Sequence, residues 1–359
     1  MTEATQEIII PNISPTRNYW LVRTESGLYY SSFDVNNYIS IGWNEIDQNI
    51  VNKKNEISKE DILTLCPQSK DKTPSQQSRQ ATLIANNINK FINEIKEGDI
   101  VMIPSVDSEY VTFGEVSESK LYFEKDFPTI TPTEPSDSKF CPYIKRKKVK
   151  WLKTIKRQKL DPELYKVFHS HHTINDANSY AQFIDRAIDS IFIKGDTAHL
   201  TLYVEKKGNI NALMFSDLIR DTLTPIDKFK EITNKEITNI KETTLNKNNI
   251  SIKTNVQSPG PIELIGSVSE IIFIVSMIVS LDSNKYKFKI KNLFNKKEDE
   301  KENDNDNKIR DIIKAFNDED IQSYTNELKK EKKDIEQHLK NLKIKNPKDN
   351  INSTKEKAN

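Results

Sequence analysis

The stretch NYWLVRTESGLYYSSFDVNNYISIGW, residues 18–43, decides how the N-terminal half of the chain is read. YWLVRT (19–24) has the aromatic and β-branched composition of a strand and is closed by the turn-like ESG. YISIGW (38–43) is a second such run, with Gly42 near its end, and LYYSSFDVNN between them has room for a short helix. No catalytic motif separates the runs. Their aromatic residues therefore pack a core or face a flat ligand.

Outward from this stretch, residues 47–79 are polar apart from a short helical pattern at SKEDILTLC. QATLIANNINKFINEI (80–95) is amphipathic, with Leu83, Ile84, Ile88, Phe91, Ile92 and Ile95 at helical spacing, and Gly98 suits a left-handed stop. DIVMIPS (99–105) and YVTFGEVSE (110–118) read as strands joined by a polar turn, and YIKRKKVKWLKTI (143–155) as a basic strand after a proline-rich loop at 126–142. The order is strand, helix, strand, helix, then three strands. Parallel α/β folds alternate more regularly. Strands gathered after the helix predict an α+β fold with a small, mostly antiparallel barrel closed by helices.

That order resembles the PUA-like superfamily, and within it the EVE-type modules at the front of Mrr-type restriction and defence proteins. The matching residues are Tyr19-Trp20-Leu21-Val22-Arg23, Ile41-Gly42-Trp43, Phe91 through Gly98-Asp99, Val101-Met102-Ile103-Pro104, Gly114-Glu115-Val116 and RKKVKWL at 146–152. They cover about residues 18–175, and the proline-bearing loops at 66–79 and 126–142 depart from the pattern. The resemblance implies an aromatic pocket that holds a base, often a modified one flipped from its strand. Stacking a base on an aromatic ring contributes roughly 1–3 kcal/mol, and a modified base that stacks badly is easier to extrude. Trp43 is the first pocket candidate because it ends a strand beside a glycine. Trp20 and Trp151 lie mid-strand, where an aromatic equally serves packing, and Ser105 after Pro104 is a candidate for an edge contact.

The segment 139–160 holds ten Lys or Arg and no acidic residue, in a chain whose net charge is +1. Strand alternation puts Lys145, Lys147, Val149 and Trp151 on one face and Arg146, Lys148, Lys150 and Leu152 on the other. Lys145, Arg146, Lys147, Lys148 and Lys150 are the candidate phosphate contacts, which would make binding strongly salt-dependent. The alternative for the same residues is an edge strand guarded by lysines against aggregation.

Two further patterns resemble chemistry. HSHH at 169–172 carries a metal-ligand residue type, but the nearest carboxylate is Asp176 and no cysteine has matching spacing, so a polar turn is expected and no metal or cofactor is called for. Asp196, Glu205 and Lys207 give a D…ExK order, in which two carboxylates would hold a divalent metal and the lysine would assist the attacking water. A restriction-type nuclease is thus the alternative enzyme reading. Cys66 and Cys141 fit neither a disulfide framework nor a zinc pattern.

Residues 1–17 are polar with Pro11 and Pro15 and read as a flexible arm, without a secretory signal; the compartment expected is the cytoplasm. Residues 178–290 read as a second α+β domain: a helix over 178–194, a strand AHLTLYVEK, a helix NALMFSDLIRDTLTPIDKF, a strand at 250–256 and a turn at 257–266. The apolar run 262–281 is long enough to span a bilayer but contains Glu263 and Glu270, so a buried helix is expected, with a membrane-acting effector as the third reading. Residues 291–359 read as a charged tail with an amphipathic helix over 308–344 suited to a partner or to self-association. The function expected overall is binding of nucleic acid, DNA with a modified base, in restriction or anti-phage defence.

Overall fold

The computed structural model describes residues 6–67, 71–124, 140–170, 172–236, 250–254, 260–279, 286–292, 304–318 and 328–344. The chain divides into two compact units: Thr16–Ile184, and Met1–Pro15 together with Asp185–Asn359. The first strand, β1 (Gln6–Ile13), belongs to the latter.

In Thr16–Ile184 seven strands build one curled, half-barrel sheet. They are β2 (Tyr19–Val22), β3 (Tyr38–Ile41), β4 (Ile100–Pro104), β5 (Tyr110–Val116), β6 (Tyr122–Phe123), β7 (Lys145–Lys156) and β8 (Ile174–Asp176). Their order is β3-β7-β5-β4-β2-β8, with β6 also on β7. Pairing is antiparallel except between β2 and β4. A parallel pair needs a long crossover, and the segment between these two strands supplies it as α1 (Tyr30–Val35), α2 (Gln48–Lys53), α3 (Lys59–Leu65) and α4 (Pro74–Asn89).

Helix α4 starts six residues before its apolar pattern does. Thr73 accepts from the Gln76 N–H while the Gln76 side chain accepts from the Thr73 N–H, and Pro74 occupies the first turn. The helix buries Ala81, Ile84, Ala85 and Ile88 and runs into a π-helical turn, Lys90–Glu94, before Gly98 takes a positive φ of 84°. On the sheet, register shifts between Phe113 and Gly114, where β5 faces Trp151 of β7. A Cβ on Gly114 would lie 2.4 Å from Val149 Cγ1 and 2.5 Å from Trp151 Cε3, so the bulge needs glycine to admit the indole.

The other unit has a six-stranded sheet formed by β1, β9 (Ile191–Lys194), β10 (Thr197–Val204), β11 (Ser251–Thr254), β12 (Gly260–Ser267) and β13 (Tyr286–Asn292), in the order β11-β12-β10-β9-β1-β13. After α5 (Ala181–Ile188), which straddles the division, come α6 (Ala212–Glu236), α7 (Val268–Val279), α8 (Asp304–Phe316) and α9 (Lys329–Asn341). Helix α7, apolar apart from Ser269, Glu270 and Ser276, is buried at every position but Ser269, as a helix apolar on all sides must be. Phe229 of α6 stacks on its Phe273 at 4.4 Å and leans on Phe316 of α8 at 5.4 Å.

Several expectations are corrected here. The arm expected at 1–17 is strand β1 over Gln6–Ile13, with Ile8 and Ile10 buried and β13 paired parallel to it. The helix expected over 178–194 ends at Ile188, and Ile191–Lys194 is a strand, because both faces of IFIK find apolar or sheet neighbours. The turn expected at 257–266 is, from Gly260, strand β12 between β10 and β11. The run 262–281 is therefore the end of a strand to Ser267 and a helix from Val268 to Val279, with 280–281 outside the described residues, and no helix among the described residues is long and apolar enough to cross a membrane. The tail expected at 291–359 contributes α8 and α9 to the same core, through Ile309, Ile313, Phe316, Ile335 and Leu339. Residues 293–303 and 345–359 lie outside the described residues.

Candidate functional site

Four loops at the strand ends of Thr16–Ile184 form a rim, and contacts link them in sequence. Thr24 Oγ1 donates to the Pro104 carbonyl at 2.6 Å. Glu25, Ser26 and Gly27 all have positive φ, at 53°, 53° and 92°. The turn presses Gly27 so close to the next loop that a Cβ there would sit 2.3 Å from the Val106 nitrogen. This brings Ser105, an expected edge contact, beside the 24–30 loop. Glu25 Oε2 in turn accepts from the Tyr143 hydroxyl at 3.3 Å, and the Tyr143 ring meets Tyr29 edge-on at 5.1 Å. The same ring lies against Gly42, where a Cβ would be 3.2 Å from it. Trp43 follows, half-buried.

Trp43 has φ of 59°, a left-handed backbone rarely adopted by a bulky residue. It is held there by Lys145. The ammonium donates to the carbonyls of Trp43 at 2.6 Å and Ile46 at 3.1 Å and is fully buried. Burial pulls this amine down to about 8. Asn44 ties the loop to the 140–144 segment by donating to the Pro142 carbonyl at 3.0 Å and accepting from the Ile144 N–H at 3.2 Å.

The three tryptophans differ in their indole N–H. Trp20 is buried and donates to Asp99 Oδ2 at 2.9 Å; that carboxylate also receives the backbone N–H groups of Asn18 and Lys96. Trp151 donates to the Phe33 carbonyl at 3.1 Å. Trp43 Nε1 makes no hydrogen bond to any described residue, and neither does the Tyr29 hydroxyl. Trp20 and Trp151 are thus part of the packing, and of the expected base contacts Trp43 and Ser105 lie on the rim. Ser105 Oγ accepts from the Tyr110 N–H at 2.9 Å and donates toward the Val106 carbonyl.

The basic strand is corrected more sharply. Alternation places Lys145, Lys147 and Val149 together as expected, but this face points inward. Lys147 is fully buried and donates to the carbonyls of Ile92, Ile95 and Ser119, closing the end of the π-helical turn; burial pulls its amine to about 8 as well. Arg146 donates to the carbonyls of Tyr143 and Cys141 and to Glu124, with its guanidinium 4.1 Å above the Tyr38 ring. These three are structural clamps rather than phosphate contacts, because each is engaged by internal acceptors. Lys148, paired with Glu118 at 2.9 Å, and Lys150 remain exposed.

Other candidates separate. Arg23 donates to the carbonyls of Phe168 and Ser170 and so holds the HSHH loop; His171 lies outside the described residues. Among the described residues no three His, Cys, Asp or Glu side chains gather as a metal site. Asp196 sits in the β9–β10 turn and Glu205 follows the far end of β10. At about 3.4 Å per residue they stand about 30 Å apart, so they and Lys207 form no common metal site. Cys66 and Cys141 are buried, and burial raises both thiols, Cys141 to about 11. A polar groove of about 220 Å³ lies elsewhere, lined by Glu56, Asn86, Lys90, Glu94 and His172 among others. It has no Tyr, Trp or Phe, and its Asn87 and Asn89 are bonded to the backbone of Leu83, Ile174 and Ile57.

Sequence reasoning missed Glu25, Tyr29 and Tyr143. The tyrosines are visible as YY at 29–30 and CPY at 141–143, but nothing local tells which aromatic faces a rim. Residues 20–176 match the model of a family described as a domain of unknown function (DUF8426). The matched segment begins and ends on cross-strand partners, since Trp20 of β2 pairs with Asp176 of β8, so it corresponds to the whole curled sheet. No curated protein and no solved structure matches the chain.

Proposed function

We propose that the Thr16–Ile184 unit binds nucleic acid by stacking a base, in the leading case a modified base of DNA, at the rim that carries Trp43, Tyr29 and Tyr143. The restriction or anti-phage setting implied by the PUA/EVE-like resemblance is part of this proposal. The observation that carries it is Trp43: half-buried, held in a left-handed backbone by a buried lysine, with an indole N–H that no described residue satisfies. Backbone strain maintained by surrounding contacts gathers at ligand sites, and an aromatic ring with an unused polar tip suits a flat polar ligand. Lys150 and the exposed part of the basic strand supply positive charge for a phosphate backbone.

Binding to matched duplexes, plain and carrying modified cytosines, across a salt series tests this. The expected result is modification-dependent binding that Trp43→Ala abolishes while the mutant, destabilised by the loss of a half-buried ring, still melts cooperatively as a folded protein. Binding that ignores modification and survives Trp43→Ala would overturn it.

A further inference from the structure

The polar groups of the rim that carries Trp43 are not neutral as to what they can recognise. The Asn44 amide is engaged at both ends. Ser105 Oγ is engaged as acceptor and donor. Lys145 is turned inward onto carbonyls. The Tyr143 hydroxyl donates to Glu25, and burial together with the Glu25 charge raises that phenol, which keeps it a donor. Glu25 is left with acceptor capacity: a carboxylate offers about four lone-pair positions, and its one hydrogen bond among the described residues is the one from Tyr143. No lysine or arginine of the described residues pairs with it.

Glu25 carries its exposed side chain on a fixed backbone. Its backbone φ of 53° belongs to a turn closed by Leu28 N–H to the Glu25 carbonyl at 3.0 Å and Tyr29 N–H to the Thr24 carbonyl at 3.0 Å. The turn is anchored to the end of β4 through Thr24 and Gly27. An acceptor anchored by its turn and by the Tyr143 hydroxyl, beside aromatic rings, is placed to test the edge of whatever stacks there.

We infer that Glu25 makes the rim selective for a base that presents an exocyclic amino group, of the cytosine or adenine type, over one that presents a carbonyl at the same place. The inference rests on the base-stacking reading above. An amino group donates to the carboxylate, whereas the O4 of thymine or uracil would face it acceptor to acceptor. Carboxylates accept from the cytosine amino group in the same sense elsewhere in nucleic-acid recognition. A Glu25→Gln amide can turn either its oxygen or its nitrogen to the base and so loses the distinction.

The test compares single-stranded oligomers of dC and dU, which differ at this position by amino against carbonyl, together with the free mononucleotides dCMP and dUMP. Wild type, Glu25→Gln and Trp43→Ala are measured, with melting profiles confirming that each is folded. Wild type is expected to prefer dC by about tenfold, Glu25→Gln to narrow this below about threefold, and Trp43→Ala to weaken both oligomers alike. The mononucleotide arms show whether the strand or the base alone supplies the ligand; the same preference in either arm supports the inference. If Trp43→Ala weakens binding but wild type shows no preference, or Glu25→Gln keeps it, the inference is wrong and the stacking reading stands. If Trp43→Ala changes nothing, the stacking reading fails and the inference falls with it.

Discussion

Two adjacent lysines of β7, alike in sequence, should behave oppositely when replaced. Lys147→Met keeps the length of the stem but removes donors to the carbonyls of Ile92, Ile95 and Ser119 in a fully buried place. Each charge-assisted bond contributes roughly 1.5 kcal/mol or more, and relief of the buried ammonium returns part of the sum. The net loss should be about 3 kcal/mol. Lys148→Met removes an exposed ion pair with Glu118 and should leave the unfolding midpoint unchanged. All three tryptophans lie in Thr16–Ile184, so indole emission during urea unfolding reports this unit specifically.

The pH dependence provides a second sign. The Lys147 amine lies near 8 in the folded unit against 10.5 when exposed, so between these values the unfolded chain binds more protons and stability rises with pH. From pH 7 to 9 the rise attributable to this one group is about 1.4 kcal/mol. Wild type should gain that much over Lys147→Met across the interval, other groups cancelling in the difference. Equal midpoints for Lys147→Met and Lys148→Met, or a difference that does not grow with pH, would refute the assignment of Lys147 as an internal clamp.

Other predictions follow from single contacts. Gly114→Ala drives a Cβ into Val149 and Trp151 and should destabilise the unit by about 2 kcal/mol, with a shift in indole emission. Trp43→Gly should unfold later than Trp43→Ala by about 1 kcal/mol, because glycine accepts the left-handed backbone without penalty; urea midpoints decide it. In the other unit, Arg186→Met removes the guanidinium paired with buried Glu263, leaves the carboxylate to His199 and the cross-strand Lys253, and should cost about 3 kcal/mol, read by hydrogen exchange of β10 and β12. Asp196→Ala and Glu205→Ala should leave any effect of magnesium on the protein unchanged, since their side chains stand at opposite ends of β10.

Local pattern carried much of the curled sheet. The runs 19–24, 38–43, 99–105, 110–118 and 143–155 each contain a strand, because alternation and composition are short-range signals. What it missed was long-range. Gln6–Ile13 looks like an arm until Glu7 is known to pair with Lys287, and no local rule joins positions that far apart. In β7 the alternation of lysines was legible and its inward direction was not. Lysine is usually exposed, and only the carbonyls of the 43–46 loop and the π-helical turn, which the two ammoniums bond, explain why two of them face inside. The site divided in the same way: Trp43 stood out as the end of a strand beside a glycine, while Glu25 and Tyr143 meet each other across a 118-residue separation.

Quenching of indole emission on titration with single-stranded dC oligomer tests the central claim most directly. A base stacked on Trp43 should quench part of the wild-type emission, and Trp43→Phe, which keeps a ring to stack on, should retain binding while losing that quench. Binding without quenching, or an equal quench in Trp43→Phe, would contradict the assignment of Trp43 as the base platform.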